Sequence, residues 1–135
     1  MKDELFLRGQ QIPMTKEPVR ALALSRLDLQ GAQRLIDVGA GTGSVSIEAA
    51  LSHPALEIIA IEKKPEAIAL IKENCLHFRC PQIRVIDAYA PVETGRKSRC
   101  RVCRRYRRKS HGDYRLVSRS SAQRRHPGDD LYPAG

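Results

Sequence analysis

The 135-residue sequence predicts an α/β fold: a parallel, doubly wound sheet with helices on both faces, truncated after about three strands and followed by an irregular basic tail. Three observations predict it. Short apolar runs that end in turn residues alternate with stretches of helical periodicity. The glycine-rich run "DVGAGTG" falls between one such strand and one such helix, where open α/β sheets place their ligands. After Gly95 the alternation stops and the composition changes abruptly.

Each element follows from local chemistry. "TKEPVRALALSRLDL" opens on Thr15, a residue type suited to cap a helix, and sets Val19, Leu22, Ala23 and Leu27 at helical spacing. Pro18 is tolerated there because it lies in the first turn. "RLIDV" is a short apolar run that suits a buried strand. A helix is expected from Ser44 to about Ser52, then a second buried strand over "EIIAIE". "PEAIALIKENCLHF" starts on Pro65 and puts Ile68, Ile71, Cys75 and Phe78 on one face. "IRVIDAYAP" supplies a third strand and its exit loop. The fourth strand, expected to be apolar and β-branched, is replaced by "KSRCRVCRRYRRK".

Charge divides the chain at the same point. Residues 1–95 carry 11 Lys+Arg and 12 Asp+Glu, a net of −1; residues 96–135 carry 13 and 3, a net of +10. Ile, Met and Phe are confined to the first segment. So cationic a tail, with so few large aliphatics, buries too little area to offset its chain entropy, and it is expected to be disordered or poorly packed. The four cysteines do not form the pattern of a secreted disulfide scaffold, and the N-terminus lacks the layout of a signal peptide. No apolar run reaches the roughly 20 residues of a membrane helix. A cytoplasmic protein with no membrane partner is expected.

In the loop, Gly39, Gly41 and Gly43 alternate, with Ala40 and Thr42 between them. Glycines there permit positive φ and remove the Cβ atoms that would hold a ligand off the backbone, while the N–H groups of the next helix face it. Nineteen residues beyond Gly43, Glu62 ends the second strand, where a carboxylate can accept hydrogen bonds from both hydroxyls of a ribose. Loop plus acid indicates a cofactor that carries adenosine. A dinucleotide would call for G-x-G-x-x-G/A, but Ser44 stands at the third small position and the third glycine comes one residue early. S-adenosylmethionine has no pyrophosphate and carries a sulfonium cation. Acids near the loop, including Asp37 two positions before Gly39, suit it better than NAD. A glycine turn that holds no ligand is the remaining alternative.

Residues 1–91 resemble the decarboxylating cobalt-precorrin carbon-15 methyltransferases of anaerobic cobalamin biosynthesis, a class I family with a Rossmann-like sheet. The resemblance lies in "FLRGQQIPMTKEPVRALAL", "LIDVGAGTGSVSIEAAL", "AIEKKPEAIALIKEN" and "AYAP". The glycine motif alone indicates a class I methyltransferase; "PMTKE" ahead of it narrows the assignment. The resemblance implies that residues 1–95 are the N-terminal part of a methyltransferase domain using S-adenosylmethionine, with a corrinoid (cobalt-precorrin) substrate. It also implies a homo-oligomer. Thr15 would reach the cofactor from the N-terminal segment, Gly39, Ala40, Gly41, Thr42 and Gly43 would line the methionine and ribose, Glu62 would hold the ribose, and Ala90 would lie beside the adenine. Tyr89 stands where such proteins often carry an acid, which leaves Ala90 a backbone contact at most. The reaction implied is transfer of the sulfonium methyl to a ring carbon with loss of carbon dioxide from an acetate side chain. No catalytic residue and no metal ligand is assigned.

Each residue also has a structural alternative. Thr15 can cap a helix with no ligand present. Glu62 can be a solvated charge beside Lys63 and Lys64. Asp37 is expected to fix the loop through backbone hydrogen bonds rather than touch the cofactor, and Glu48 is expected to face solvent.

Three readings compete for residues 96–135. Arginines with Tyr106 and Tyr114 could bind nucleic acid through phosphates and base stacking. Cys100, Cys103, His111 and His126 include a C-x₂-C pair, but the histidine spacing is not that of a zinc finger. The third reading fits best: a slipped reading frame near Gly95. Codons chosen for Arg96 onwards, read one nucleotide later, spell "GKADAVFVGGTGGNLTAIIDW". That is a buried strand, a glycine loop and an apolar-periodic helix, and it agrees with the fold in the way natural sequences do. It implies a half-sheet with an exposed edge, weak cofactor binding and little or no methyl transfer by this chain.

Overall fold

The computed structural model describes residues 1–88, 100–107 and 114–120. Its helices are α1 (Glu17–Leu27), α2 (Ser44–Ser52) and α3 (Pro65–His77), preceded by a single 3-10 turn at Asp3–Leu5. Its strands are β1 (Arg34–Val38), β2 (Glu57–Glu62), β3 (Ile83–Asp87), β4 (Cys100–Arg107) and β5 (Tyr114–Ser120). They form one sheet in the order β3-β2-β1-β4-β5. The first four are mutually parallel; β5 runs antiparallel to β4. Among the described residues no helix is long and apolar enough to cross a membrane.

The expected α/β class holds, and β1, α2 and β2 keep their expected bounds because each apolar run stops at a turn residue. Leu35, Ile58, Ile59 and Ala60 are almost wholly buried, as the central strands of a parallel sheet covered on both faces must be. In α2, Val45, Ile47, Ala49 and Ala50 are buried as well, so this helix lies within the core rather than across its surface.

The tail departs from expectation. The sheet does not end after three strands: Cys100–Arg107 pairs with β1 in the register Arg34↔Cys100 to Val38↔Arg104, and Tyr114–Ser120 pairs back onto it. The edge of β1 is therefore covered. Parallel pairing draws on backbone N–H and C=O groups, which a basic sequence possesses like any other, and an open edge is a ready template for it. Cys100 and Cys103 supply buried side chains where aliphatics were expected. His111 and His126, named above as possible zinc ligands, lie outside the described residues, as does the rest of the tail.

Two helix faces are also rotated from their expected positions. In α1 the inward residues are Arg20, Ala23 and Leu27, while Val19 and Leu22 remain exposed. In α3 they are Ala67, Leu70, Ile71 and Asn74, with Ile68, Cys75 and Phe78 half-buried. In both cases a polar residue occupies the buried stripe and turns the helix toward it.

Cys75 and Cys80 meet at the end of α3, where Cys80 N donates to Cys75 O at 2.9 Å. Burial, then the neighbouring Cys80, pushes the Cys75 thiol from an ordinary 9.0 up to about 11. Burial also raises Cys80. The native state thus holds the Cys75 proton longer than the unfolded chain does. The associated stabilisation is complete below pH 9 and is lost as pH rises toward about 11. At pH 8, iodoacetamide should label native Cys75 roughly 100-fold more slowly than it labels the same thiol in urea, read by mass spectrometry. Equal rates would show that the thiol is not shielded.

Candidate functional site

The loop leaving β1 turns by positive φ at each of its glycines: +71° at Gly39, +59° at Gly41 and +83° at Gly43. Backbone hydrogen bonds fasten it to the neighbouring strand, since Gly39 N and Ala40 N both donate to Ile61 O, at 2.9 and 3.2 Å. Gly43 N closes the turn on Ala40 O at 2.9 Å, and α2 begins at Ser44 with Gly43 as its left-handed N-cap. The loop therefore delivers the first turn of a helix, with its unpaired N–H groups, to the carboxyl end of the sheet.

Glu62, at the tip of β2, sits beside the loop. Its Oε2 accepts from Gly41 N at 2.9 Å, and its Oε1 accepts from Lys63 N at 3.0 Å and Lys64 N at 3.3 Å. The carboxylate is thus a brace between strand tip and loop rather than a loose surface charge. Asp37 is fully buried in β1 and its Oδ2 accepts from Ser46 Oγ at 2.6 Å, which ties the strand to α2. This bond is to a side chain of α2, where backbone hydrogen bonds to the loop were expected of Asp37.

The N-terminal segment lies over this loop. A Cβ added to Gly41 would come within 2.6 Å of Pro13 O, so segment and loop are in backbone contact. Thr15 is buried, and its carbonyl accepts from Arg20 Nη1 at 2.6 Å and from Ser44 Oγ at 3.5 Å. Thr15 is not the cap of α1: that position is Lys16, with no side-chain capping bond, and the helix starts two residues later than Thr15. The reason is Arg20, which takes hold of the Thr15 carbonyl. Arg20 is fully buried; its Nε bonds Glu48 Oε1 at 2.8 Å and its Nη1 bonds Asp3 Oδ1 at 3.0 Å. Glu48, expected in solvent, is instead the main counter-charge of this arginine.

The structure thus brings Thr15, Gly39, Ala40, Gly41, Thr42, Gly43 and Glu62 to one end of the sheet, whereas Ala90 lies outside the described residues. Thr42 adds a polar group at the loop: its Oγ1 is buried with no hydrogen-bond partner among the described residues, a state that ordinarily costs about 1–3 kcal/mol. A backbone cradle free of Cβ atoms, a carboxylate on the neighbouring strand tip and an unsatisfied hydroxyl suit a nucleoside joined to an amino acid. Sequence reasoning missed Arg20, Asn74 and Pro13 as supports of this site. The sequence signal for the first two is a polar residue on an otherwise apolar helical stripe.

Comparison with known proteins agrees with this geometry. The precorrin methyltransferase domain family matches residues 4–99. The cobalt-precorrin-6B C(15)-methyltransferase (decarboxylating) of Salmonella typhimurium is 61% identical over 92 residues, covering 68% of this chain and 48% of that protein. A probable cobalt-precorrin-6B C(15)-methyltransferase (decarboxylating) of Sulfolobus acidocaldarius is 42% identical over 90 residues, covering 66% and 47%. The chain thus spans about half the length of the curated relatives it matches. Among solved structures, a precorrin-6y C5,15-methyltransferase from Geobacter metallireducens superposes with a TM-score of 0.67 at 26% identity, over 81% of this chain and 71% of that one. A precorrin 8w decarboxylase from Methanobacterium thermoautotrophicum gives 0.58 at 28%, over 67% and 49%.

Proposed function

The chain belongs to the precorrin methyltransferase family, and from that premise we propose that it binds S-adenosylmethionine at the glycine loop and derives from an enzyme that methylates carbon 15 of a cobalt-precorrin with decarboxylation. When bound, the cofactor supplies a methyl group already activated on a sulfonium. The chain's own work is then to bind, to orient and to exclude water. Gly39, Gly41 and Gly43 admit the methionine and ribose against the backbone, with Ala40 between them. Glu62 accepts from the ribose hydroxyls while keeping its bond to Gly41 N. Thr42 turns its unsatisfied hydroxyl to the cofactor, and Thr15 closes the site from the N-terminal segment. Ala90 is assigned the adenine side of the same site.

The observation that carries this reading is the junction of loop and carboxylate: Gly41 N on Glu62 Oε2 at 2.9 Å. Calorimetric titration with S-adenosylhomocysteine tests it, with NAD as competitor. The 135-residue chain is expected to bind the methionine-derived ligand, weakly, and to ignore NAD. Glu62→Ala should cost about 10–100-fold in affinity, the value of hydrogen bonds to a charged group, and Gly39→Asp should abolish binding. Unchanged affinity in Glu62→Ala, or preference for NAD, would overturn the reading.

Residues 1–95 are proposed as the N-terminal part of the methyltransferase domain, and residues 96–135 as the product of a shifted frame. The family match ends at residue 99, close to the step in charge after Gly95, which supports that division. Little or no methyl transfer is expected from this chain for that reason. The nucleotide sequence across codons 90 to 100 tests it directly, since an unbroken basic coding frame with no apolar strand in the next one would refute the slip. A cytoplasmic setting belongs to the same reading, and the unbridged thiols of Cys75 and Cys80 suit a reducing compartment.

A further inference from the structure

Asn74 is fully buried on α3, on the stripe that otherwise presents Ala67, Leu70 and Ile71 to the core. Burying a carboxamide among aliphatics is unfavourable unless its polar atoms are paired, and a leucine would serve the packing alone better. Here the pairing is complete. Asn74 Oδ1 accepts from Leu7 N at 2.9 Å, and Nδ2 donates to Leu7 O at 3.1 Å and to Thr42 O at 3.0 Å. One side chain therefore satisfies both backbone groups of Leu7, as a neighbouring strand would, and at the same time holds the carbonyl of a glycine-loop residue.

The other contacts between segment and loop give this link its meaning. Pro13 O lies against Gly41, and Thr15 O lies against Ser44 Oγ. Those contacts join the two pieces directly. Asn74 joins both of them to a rigid helix, and by fixing the Thr42 carbonyl it fixes the peptide plane between Thr42 and Gly43. The orientation of the loop backbone at this peptide is thereby set before any ligand arrives.

We infer that Asn74 is a positioning residue for the cofactor site: its carboxamide clamps the N-terminal segment and the glycine loop to α3, so that cofactor affinity depends on a side chain that does not touch the cofactor. The inference rests on the methyl-donor reading given above.

Two variants of the 135-residue chain separate positioning from mere stability. Asn74→Ala removes the clamp and leaves a void. Asn74→Leu removes the clamp without leaving a void, so its melting temperature should fall less than that of Asn74→Ala. Both should lower the affinity for S-adenosylhomocysteine by about 10-fold or more, since three paired groups are released. Both should also speed tryptic cleavage after the exposed Arg8 in the absence of ligand, because the segment is no longer fastened at Leu7. Leu56→Ala, a core truncation at the opposite end of β2 from the loop, serves as the control. It should lower the melting temperature while leaving affinity and cleavage after Arg8 unchanged. If the parent binds and Asn74→Leu binds as well as the parent does, the inference fails alone. If the parent binds no S-adenosylhomocysteine, the methyl-donor reading fails and takes this inference with it.

Discussion

Arg20→Met is expected to lower the unfolding free energy by about 3–5 kcal/mol, a large share of the 5–15 kcal/mol that holds a typical domain together. The guanidinium is wholly inaccessible to solvent, and the groups around it are arranged for its charge: Glu48 at 2.8 Å, Asp3 at 3.0 Å, the Thr15 carbonyl at 2.6 Å, and the face of Phe6 with its centroid 5.0 Å away. Methionine fills the volume but, among the described residues, leaves Glu48 with only the N-terminal amine, at 3.0 Å, as a positive partner. An uncompensated carboxylate in a part-buried position is where the penalty arises, rather than in the loss of a favourable pair. Removing the second charge as well should therefore recover most of the stability, so that Arg20→Met with Glu48→Leu is less impaired than Arg20→Met alone. Urea unfolding followed by circular dichroism measures both. A single-variant loss below about 1 kcal/mol, the range of surface ion pairs, would mean that the arginine is solvated in solution.

Arg20 also marks the limit of what periodicity reveals. The stripe of α1 that faces inward runs through Arg20, Ala23 and Leu27, a correct helical spacing. The hydrophobic pattern picks out Val19 and Leu22 instead, because an arginine scores as a surface residue unless its partners are known. Those partners, Asp3 and Glu48, are 17 and 28 residues away in sequence, beyond the reach of any local rule. Asn74 escaped notice for the same reason, its partners being the backbones of Leu7 and Thr42. What was legible was the set of features decided locally. Strands β1 and β2 are apolar runs closed by turn residues, and the glycine loop must lie between a strand and a helix whatever surrounds it. Strand β4 was not foreseen because burial was taken as the requirement for order, whereas Cys100–Arg107 is held in part by backbone pairing along the open side of β1.

Gly41→Ala should be the most damaging single-methyl substitution in the loop. The residue sits at φ +59°, where an L side chain costs roughly 1–2 kcal/mol, and its new Cβ would meet Pro13 O at 2.6 Å. That neighbour is backbone, held in a segment that Arg20 and Asn74 fasten on either side, so it cannot swing away as a side-chain end could. Relief requires either that the N-terminal segment lifts or that the loop retreats, and retreat breaks the bond from Gly41 N to Glu62. Gly43 provides the internal comparison. Its φ is +83°, but its Cβ would meet Ile71 Cγ2 at 3.2 Å, a side-chain contact that a small rotation of Ile71 relaxes. Gly41→Ala should thus cost about 2–4 kcal/mol and eliminate measurable binding of S-adenosylhomocysteine, while Gly43→Ala costs about 1–2 kcal/mol and leaves binding detectable. Thermal melts and calorimetry on the two proteins decide the order. If the two glycines prove equally sensitive, the loop responds to backbone handedness alone, and the close seat of the N-terminal segment on Gly41 does not persist in solution.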